Sequence, residues 1–184
     1  LDDKDILFRG DDGSGGVHTY LTLDGGLGYT TVQKEMRFDD STAATFGASG
    51  DLQISHNGSS SSLANYTANF FIQNQADDAD IIFQCDDGSG GVETYFYLDG
   101  SASSGNPITI FPDNSQLAFG NSADLVIKHD GSNTYIYNEI GNFQIFNKAD
   151  DSDLILSSDD GSGGTTAYLT LDGSLGYTTA QKDI

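Results

Sequence analysis

Three pairs of adjacent carboxylates carry the most chemistry in this chain: Asp11-Asp12, Asp86-Asp87 and Asp159-Asp160, each followed by Gly-Ser-Gly-Gly. Hard oxygen ligands on a glycine-rich loop suit calcium. A second acidic set, Asp77-Asp78-Ala79-Asp80 and Asp150-Asp151-Ser152-Asp153, precedes the latter two pairs. No segment has EF-hand spacing, and the nine-residue period of calcium-binding β-rolls is absent. Asp-Gly loops are equally good solvated turns, so calcium binding and plain turn formation both stand as readings. His56 and His129 occupy equivalent places and share strand faces with Leu52 and Ile54, and with Leu125 and Ile127. In a three-chain assembly, copies of one His can meet near the axis and hold a metal. The alternative is a hydrogen bond that caps the strand end. His18 is replaced by Glu93 and Thr166 in its other copies and reads as a surface residue. Paired carboxylates also hydrolyse glycosidic bonds, but here they sit in repeated turns without a distinct cleft. No Ser/His/Asp arrangement, phosphate loop or zinc spacing occurs. The expectation is a protein that is not an enzyme, with no catalytic residue and no resident cofactor, calcium aside.

These residues recur because the chain repeats. Asp5 to Gly16 returns as Asp80 to Gly91 and as Asp153 to Gly164, at spacings of 75 and 73 residues. Phe46 to Gly58 returns as Phe119 to Gly131, and Asn69-Phe70 as Asn142-Phe143. Leu27 to Lys34 returns as Leu175 to Lys182, while the middle copy carries the shorter Ser101 to Ile108 there. Such length changes belong in turns. The organisation is repeat 1 over 1–75, repeat 2 over 76–148 and a partial repeat 3 over 149–184. The chain starts at Leu1 and stops mid-period at Ile184, which reads as a segment of a longer repetitive protein. A tandem repeat of this length builds an extended object rather than a single site.

Composition narrows the partners. With 28 acidic and 7 basic residues the net charge is −21, which disfavours nucleic acid and anionic membrane surfaces. Only three of the acids are Glu, and Gly contributes 23 residues, so turns dominate over helix interiors. The lone Cys85 excludes an internal disulfide framework. No apolar run approaches the length of a membrane span.

The positioning elements read as strands. Val17, Thr19, Leu21 and Leu23 alternate with His18, Tyr20 and Thr22, and residues 92–98 and 165–171 follow the same rule. The Val/Leu face is expected to be the buried one. Tyr20, Tyr95 and Tyr168 recur on the wetter face, where they are expected to form a ladder along the long axis. The runs Ile6-Leu7-Phe8, Ile81-Ile82-Phe83 and Leu154-Ile155-Leu156 read as strands covered on both faces. Each forms a hairpin with the following strand across the Asp-Asp-Gly-Ser-Gly-Gly turn. Further strands are expected at Tyr29–Phe38, Thr45–Phe46, Leu52–His56, Leu63–Tyr66 and Phe70–Gln75, about seven per period. The fold class is therefore all-β, an elongated stack of β-hairpin repeats of about 73–75 residues. Each repeat has too little apolar surface to bury its own face, so it must borrow from neighbours along the chain or from identical chains.

Gly50-Asp51-Leu52-Gln53-Ile54-Ser55-His56-Asn57-Gly58-Ser59 and Ala123-Asp124-Leu125-Val126-Ile127-Lys128-His129-Asp130-Gly131-Ser132-Asn133-Thr134-Tyr135-Ile136 resemble a repeat of tail-fibre-like structural proteins of marine phages, cyanophages in particular. The first copy departs at Ser60-Ser61-Ser62-Leu63, where that repeat has Asn-Ser-Tyr-Ile. The resemblance implies a virion structural protein and a homotrimeric fibrous shaft. It also implies other virion proteins as partners and contact with host-surface glycans during attachment. Two alternatives stay open: a calcium-stabilised bacterial adhesin or surface-layer repeat, and a capsid-attached head fibre or decoration protein.

Overall fold

The computed structural model describes residues 2–101 and 105–181, and among them the protein is all-β with no helix. The fifteen strands form five three-stranded antiparallel sheets, each a meander in chain order. One kind of sheet is built around the acidic hairpin. Its copies are β1 (Ile6–Asp11), β2 (Val17–Leu23) and β3 (Thr30–Val32); β7 (Ile81–Asp86), β8 (Val92–Asp99) and β9 (Ile108–Ile110); and β13 (Leu154–Asp159), β14 (Thr165–Leu171) and β15 (Thr178–Ala180). The other kind carries the histidines: β4 (Ala43–Phe46), β5 (Leu52–His56) and β6 (Ser61–Asn65), then β10 (Gln116–Phe119), β11 (Leu125–His129) and β12 (Thr134–Asn138). The chain divides into two units, residues 1–72 and 73–184. The first holds one sheet of each kind; the second holds three sheets.

The turns form where Asp and Gly place them. The Asp24 carboxylate accepts the N–H groups of Gly26 (3.0 Å) and Leu27 (2.7 Å), and Asp172 does the same for Ser174 and Leu175. These are the side-chain turns that Asp makes with its own downstream backbone. The first strand is anchored to the same turn. Asp5, Asp80 and Asp153 each accept the N–H of a glycine twenty residues on, Gly25, Gly100 and Gly173, at 3.0–3.1 Å. At these three glycines a Cβ would fall on the carbonyl oxygen of Lys4, Ala79 and Ser152 respectively, so close approach of two backbones requires glycine. The shortened connection of the middle copy lies between the end of β8 and the start of β9. Residues 102–104 of it, and Lys182 of the matching third copy, lie outside the described residues.

Each acidic hairpin contains the same β-bulge, which the alternation rule misses. The register slips between Phe8 and Arg9, between Phe83 and Gln84, and between Leu156 and Ser157. The unpaired extra residue is in each case the recurring tyrosine, Tyr20, Tyr95 or Tyr168. A bulge bends the strand and re-aims its side chains. Each tyrosine hydroxyl donates to the carbonyl of the aspartate that ends the first strand, Asp11, Asp86 or Asp159, at 3.0–3.2 Å. Each tyrosine thus locks its own hairpin. Tyr95→Phe is expected to lower the thermal midpoint slightly, costing about 1 kcal/mol or less, because the bond lies in solvent.

The bulge also upsets the expected burial. The covered positions are Thr22 and Thr170, each 8% exposed, whereas Leu23 and Leu171 beside them stay 37% and 43% exposed. The amides of Gln33 and Gln181 hydrogen-bond the two threonine hydroxyls at 2.6 and 2.7 Å and cover them. Within the chain, Val126 on the central strand β11 is the one buried hydrophobic residue among those described. The runs expected to be covered on both faces are not: Ile6, Phe8, Ile82 and Leu156 are all more than half exposed.

Among the described residues each full period has six strands, not seven. Tyr29–Phe38 shrinks to Thr30–Val32, and Phe70–Gln75 forms no strand. A strand needs a ladder partner, and the described residues provide none for these stretches.

Candidate functional site

Three groups of residues are candidates for function: the acidic loops, the histidine hairpins and the exposed apolar faces.

In the acidic loops both carboxylates of a pair are used as turn acceptors. Asp11 accepts the N–H of Gly13 at 2.6 Å, and Asp12 accepts those of Ser14 (2.8 Å) and Gly16 (3.0 Å). Asp86 and Asp87 accept from Gly88 and Ser89, and Asp159 and Asp160 from Gly161 and Ser162. Gly13 and Gly15 both have positive φ, at 82° and 91°, which curls the loop around the carboxylate. Among the described residues no group of three or more His, Cys, Asp or Glu side chains is placed to hold a metal ion. The sequence brings the six aspartates to three hairpin tips, and each tip uses them locally. The further acids Asp80 and Asp153 are the strand anchors described above, while Asp78 and Asp151 take left-handed backbone, with φ of 56° and 54°.

These contacts shift acidity. The backbone N–H of Ser14, then that of Gly16, holds the Asp12 carboxyl below its ordinary 3.8. Asp87 is lowered chiefly by the Ser89 N–H, Asp130 by the N–H groups of Asn133 and Ser132, and Asp172 by the Leu175 N–H and then the Ser174 hydroxyl. A carboxyl whose folded pKa is depressed binds fewer protons folded than unfolded, so its stabilisation is full above the unfolded value and vanishes as pH falls through the folded one. Stability is therefore expected to be flat from neutral pH down to the ordinary carboxyl value of 3.8 and to fall below it. A thermal-melt series across that range checks this, and replacing Asp12, Asp87, Asp130 and Asp172 by Asn should flatten the acid limb.

The histidines end their strands as caps. His56 Nδ1 lies 3.1 Å from the Ser61 hydroxyl, and His129 Nδ1 lies 3.1 Å from that of Thr134. Each partner sits directly opposite in the ladder. The next residue, Asn57 or Asp130, closes the hairpin by accepting two loop N–H groups at 2.8–3.0 Å. Asn57 and Asp130 do one job with the same oxygen, so Asn57→Asp is expected to keep the turn and to raise the melting temperature slightly at pH 7, because the two N–H groups favour the charged form as they do at Asp130. His18 packs edge-on against Tyr20, with ring centroids 6.2 Å apart. Cys85 is exposed and free.

The middle copy adds a feature that repeat counting missed. Phe83 stacks on Phe96 (4.5 Å between centroids) and Phe96 on Phe111 (5.7 Å), while the Ser115 hydroxyl reaches the Thr94 carbonyl. An open groove there is bordered by Glu93, Tyr95, Phe96, Phe111 and Asp113. Its signal in the sequence is Phe96, which stands where the other copies have Leu21 and Leu169.

The apolar faces are the largest candidate. The accessible surface is 14521 Å². A compact 19.5 kDa protein exposes about 8,500 Å² as one globule and about 10,000 Å² as two separate units. The surplus is about 4,000 Å² per chain, several times the ~800 Å² that a stable interface takes from each partner. The exposed set recurs with the repeat: Leu7, Ile82 and Ile155; Leu27 and Leu175; Tyr29 and Tyr177; Phe46 and Phe119; Ile72 and Ile145. Soluble monomers rarely expose so many large apolar side chains in a recurring set.

Neither a protein-family model, a curated protein nor a solved structure matches the chain.

Proposed function

We propose that this chain is a segment of a phage tail-fibre or related virion-appendage shaft, assembled from three identical chains, with a mechanical role. The observation that carries the reading is the recurrence, at the repeat spacing, of apolar side chains that one chain leaves open. A surface that repeats along a chain is matched by another copy of the same repeat. The acidic tips and the net charge of −21 keep such shafts soluble and apart. The resemblance of the Gly-Asp-Leu-Gln-Ile-x-His-[Asn/Asp]-Gly motif to marine-phage fibre repeats supplies the setting. On this reading the protein acts from the virion, has no catalytic role, and brings exposed tyrosines and Asp/Ser/Asn loops within reach of host glycans, where repetition adds avidity to weak contacts.

Thermal melting with and without a calcium chelator separates this shaft from a calcium-stabilised adhesin. The shaft is expected to melt at the same temperature in both. A fold lost on chelation would replace the proposal with the adhesin. Antibody labelling of particles in the electron microscope then places the protein: label on tails supports the tail fibre, and label on heads assigns a head fibre.

A further inference from the structure

The segments Asn69–Ile72 and Asn142–Phe146 sit at equivalent points of two successive periods. Their sequences, Asn-Phe-Phe-Ile and Asn-Phe-Gln-Ile-Phe, are rich in residues that favour strands. Each follows a sheet of the histidine kind and precedes an acidic hairpin. Before each, an asparagine fixes the chain's exit: Asn65 donates to the carbonyls of Thr67 and Ala68, and Asn138 to those of Ile140 and Gly141. After each, Asn74 and Asn147 donate to the carbonyls of Asp80 and Asp153. The flanks are thus specified in matching detail. The segments between them are not. Among the described residues, no hydrogen bond within the chain reaches any backbone N–H or C=O of residues 69–72 or 142–146.

Their side chains are equally uncommitted. Phe70, Phe71 and Ile72 are 45%, 70% and 58% exposed, and Phe143, Ile145 and Phe146 are 52%, 59% and 67% exposed. A repeated segment with strand-forming residues, fixed ends, an unpaired backbone and open apolar side chains lacks only a ladder partner. Among the described residues the sheet edges leave it unpaired in both periods. The open apolar side chains recur at the repeat spacing, Phe70 with Phe143 and Ile72 with Ile145, so a second copy carrying the same repeat matches both segments at once.

We propose that residues 69–72 and 142–146 become β-strands only in the assembly, by backbone pairing with a second copy of this chain. The inference rests on the shaft reading above and adds the location of the interchain ladder. It also supplies the seventh strand of each period, which a single chain does not form.

Hydrogen exchange on the full chain, read by mass spectrometry on peptides spanning these segments, tests it together with the solution mass of the same sample. The expected result is a three-chain mass with the amides of both segments slowed about 100-fold or more relative to an unstructured peptide. Ile72→Pro with Ile145→Pro, which removes two ladder donors, should weaken association at least about 10-fold, while Ile72→Thr with Ile145→Thr, which keeps the donors, should weaken it less. A three-chain mass with fast exchange in both segments would overturn this inference and leave the shaft reading standing. A single-chain mass would overturn both.

Discussion

Replacing Phe8 and Leu156 together by aspartate is expected to leave a folded chain that no longer associates. The two residues hold the same position in the first and third copies of the acidic hairpin, opposite Leu21 and Leu169. They are 52% and 54% exposed, so half of each side chain is free of intrachain contact. Burying the open half against a sister chain is worth about 2 kcal/mol per residue, before any cost of placing a carboxylate in that interface. The pair therefore weakens association about 1,000-fold or more per chain. The substitutions sit at strand positions whose backbone pairing does not depend on the side chain, so the intrachain sheets should persist and far-ultraviolet circular dichroism should lose only the strand signal that residues 69–72 and 142–146 gain in the assembly. Sedimentation velocity reads the outcome. An oligomer that persists at micromolar chain concentration would mean that the hairpin faces do not form the interface.

The second large effect is inside the chain. Gly173→Ala is expected to break the third acidic sheet, because its Cβ would fall on the Ser152 carbonyl oxygen. The same N–H that anchors Asp153 belongs to this glycine, so any backbone shift that relieves the clash also lengthens that 3.0 Å bond. Gly161→Ala is the control. Its φ is +80° but its Cβ would meet nothing within 4 Å, so it carries only the ordinary left-handed penalty of about 1 kcal/mol. Gly173→Ala should cost clearly more, and chemical denaturation of the two variants under identical conditions gives the difference. Equal costs would remove the close approach from the account.

Much of the fold is legible in the sequence because the turn chemistry is local. Asp-Asp-Gly-Ser-Gly-Gly and Leu-Asp-Gly mark hairpins wherever they occur, and Leu52–His56 is bounded as alternation places it. The bulge is not legible. Tyr20, Tyr95 and Tyr168 fit an alternating pattern, and only the ladder register shows that each is an extra residue. Burial is misjudged for the same reason: Thr22 is covered by Gln33, which lies eleven residues away and carries no periodic signal. The strand expected at Phe70–Gln75 shows a different limit. Its residues favour a strand, but a strand is a property of a pair, and among the described residues this stretch has no ladder partner. Among the candidate sites, the equivalence of His56 and His129 is visible in the repeat, while their hydroxyl partners depend on the hairpin register.

The central claim is that this chain completes its core with copies of itself, and its solution mass tests that most directly. Light scattering coupled to gel filtration, at neutral pH and moderate salt, is predicted to give three times the 19.5 kDa of the chain. A mass of one chain, with a cooperative melt showing that the lone chain is folded, would contradict it.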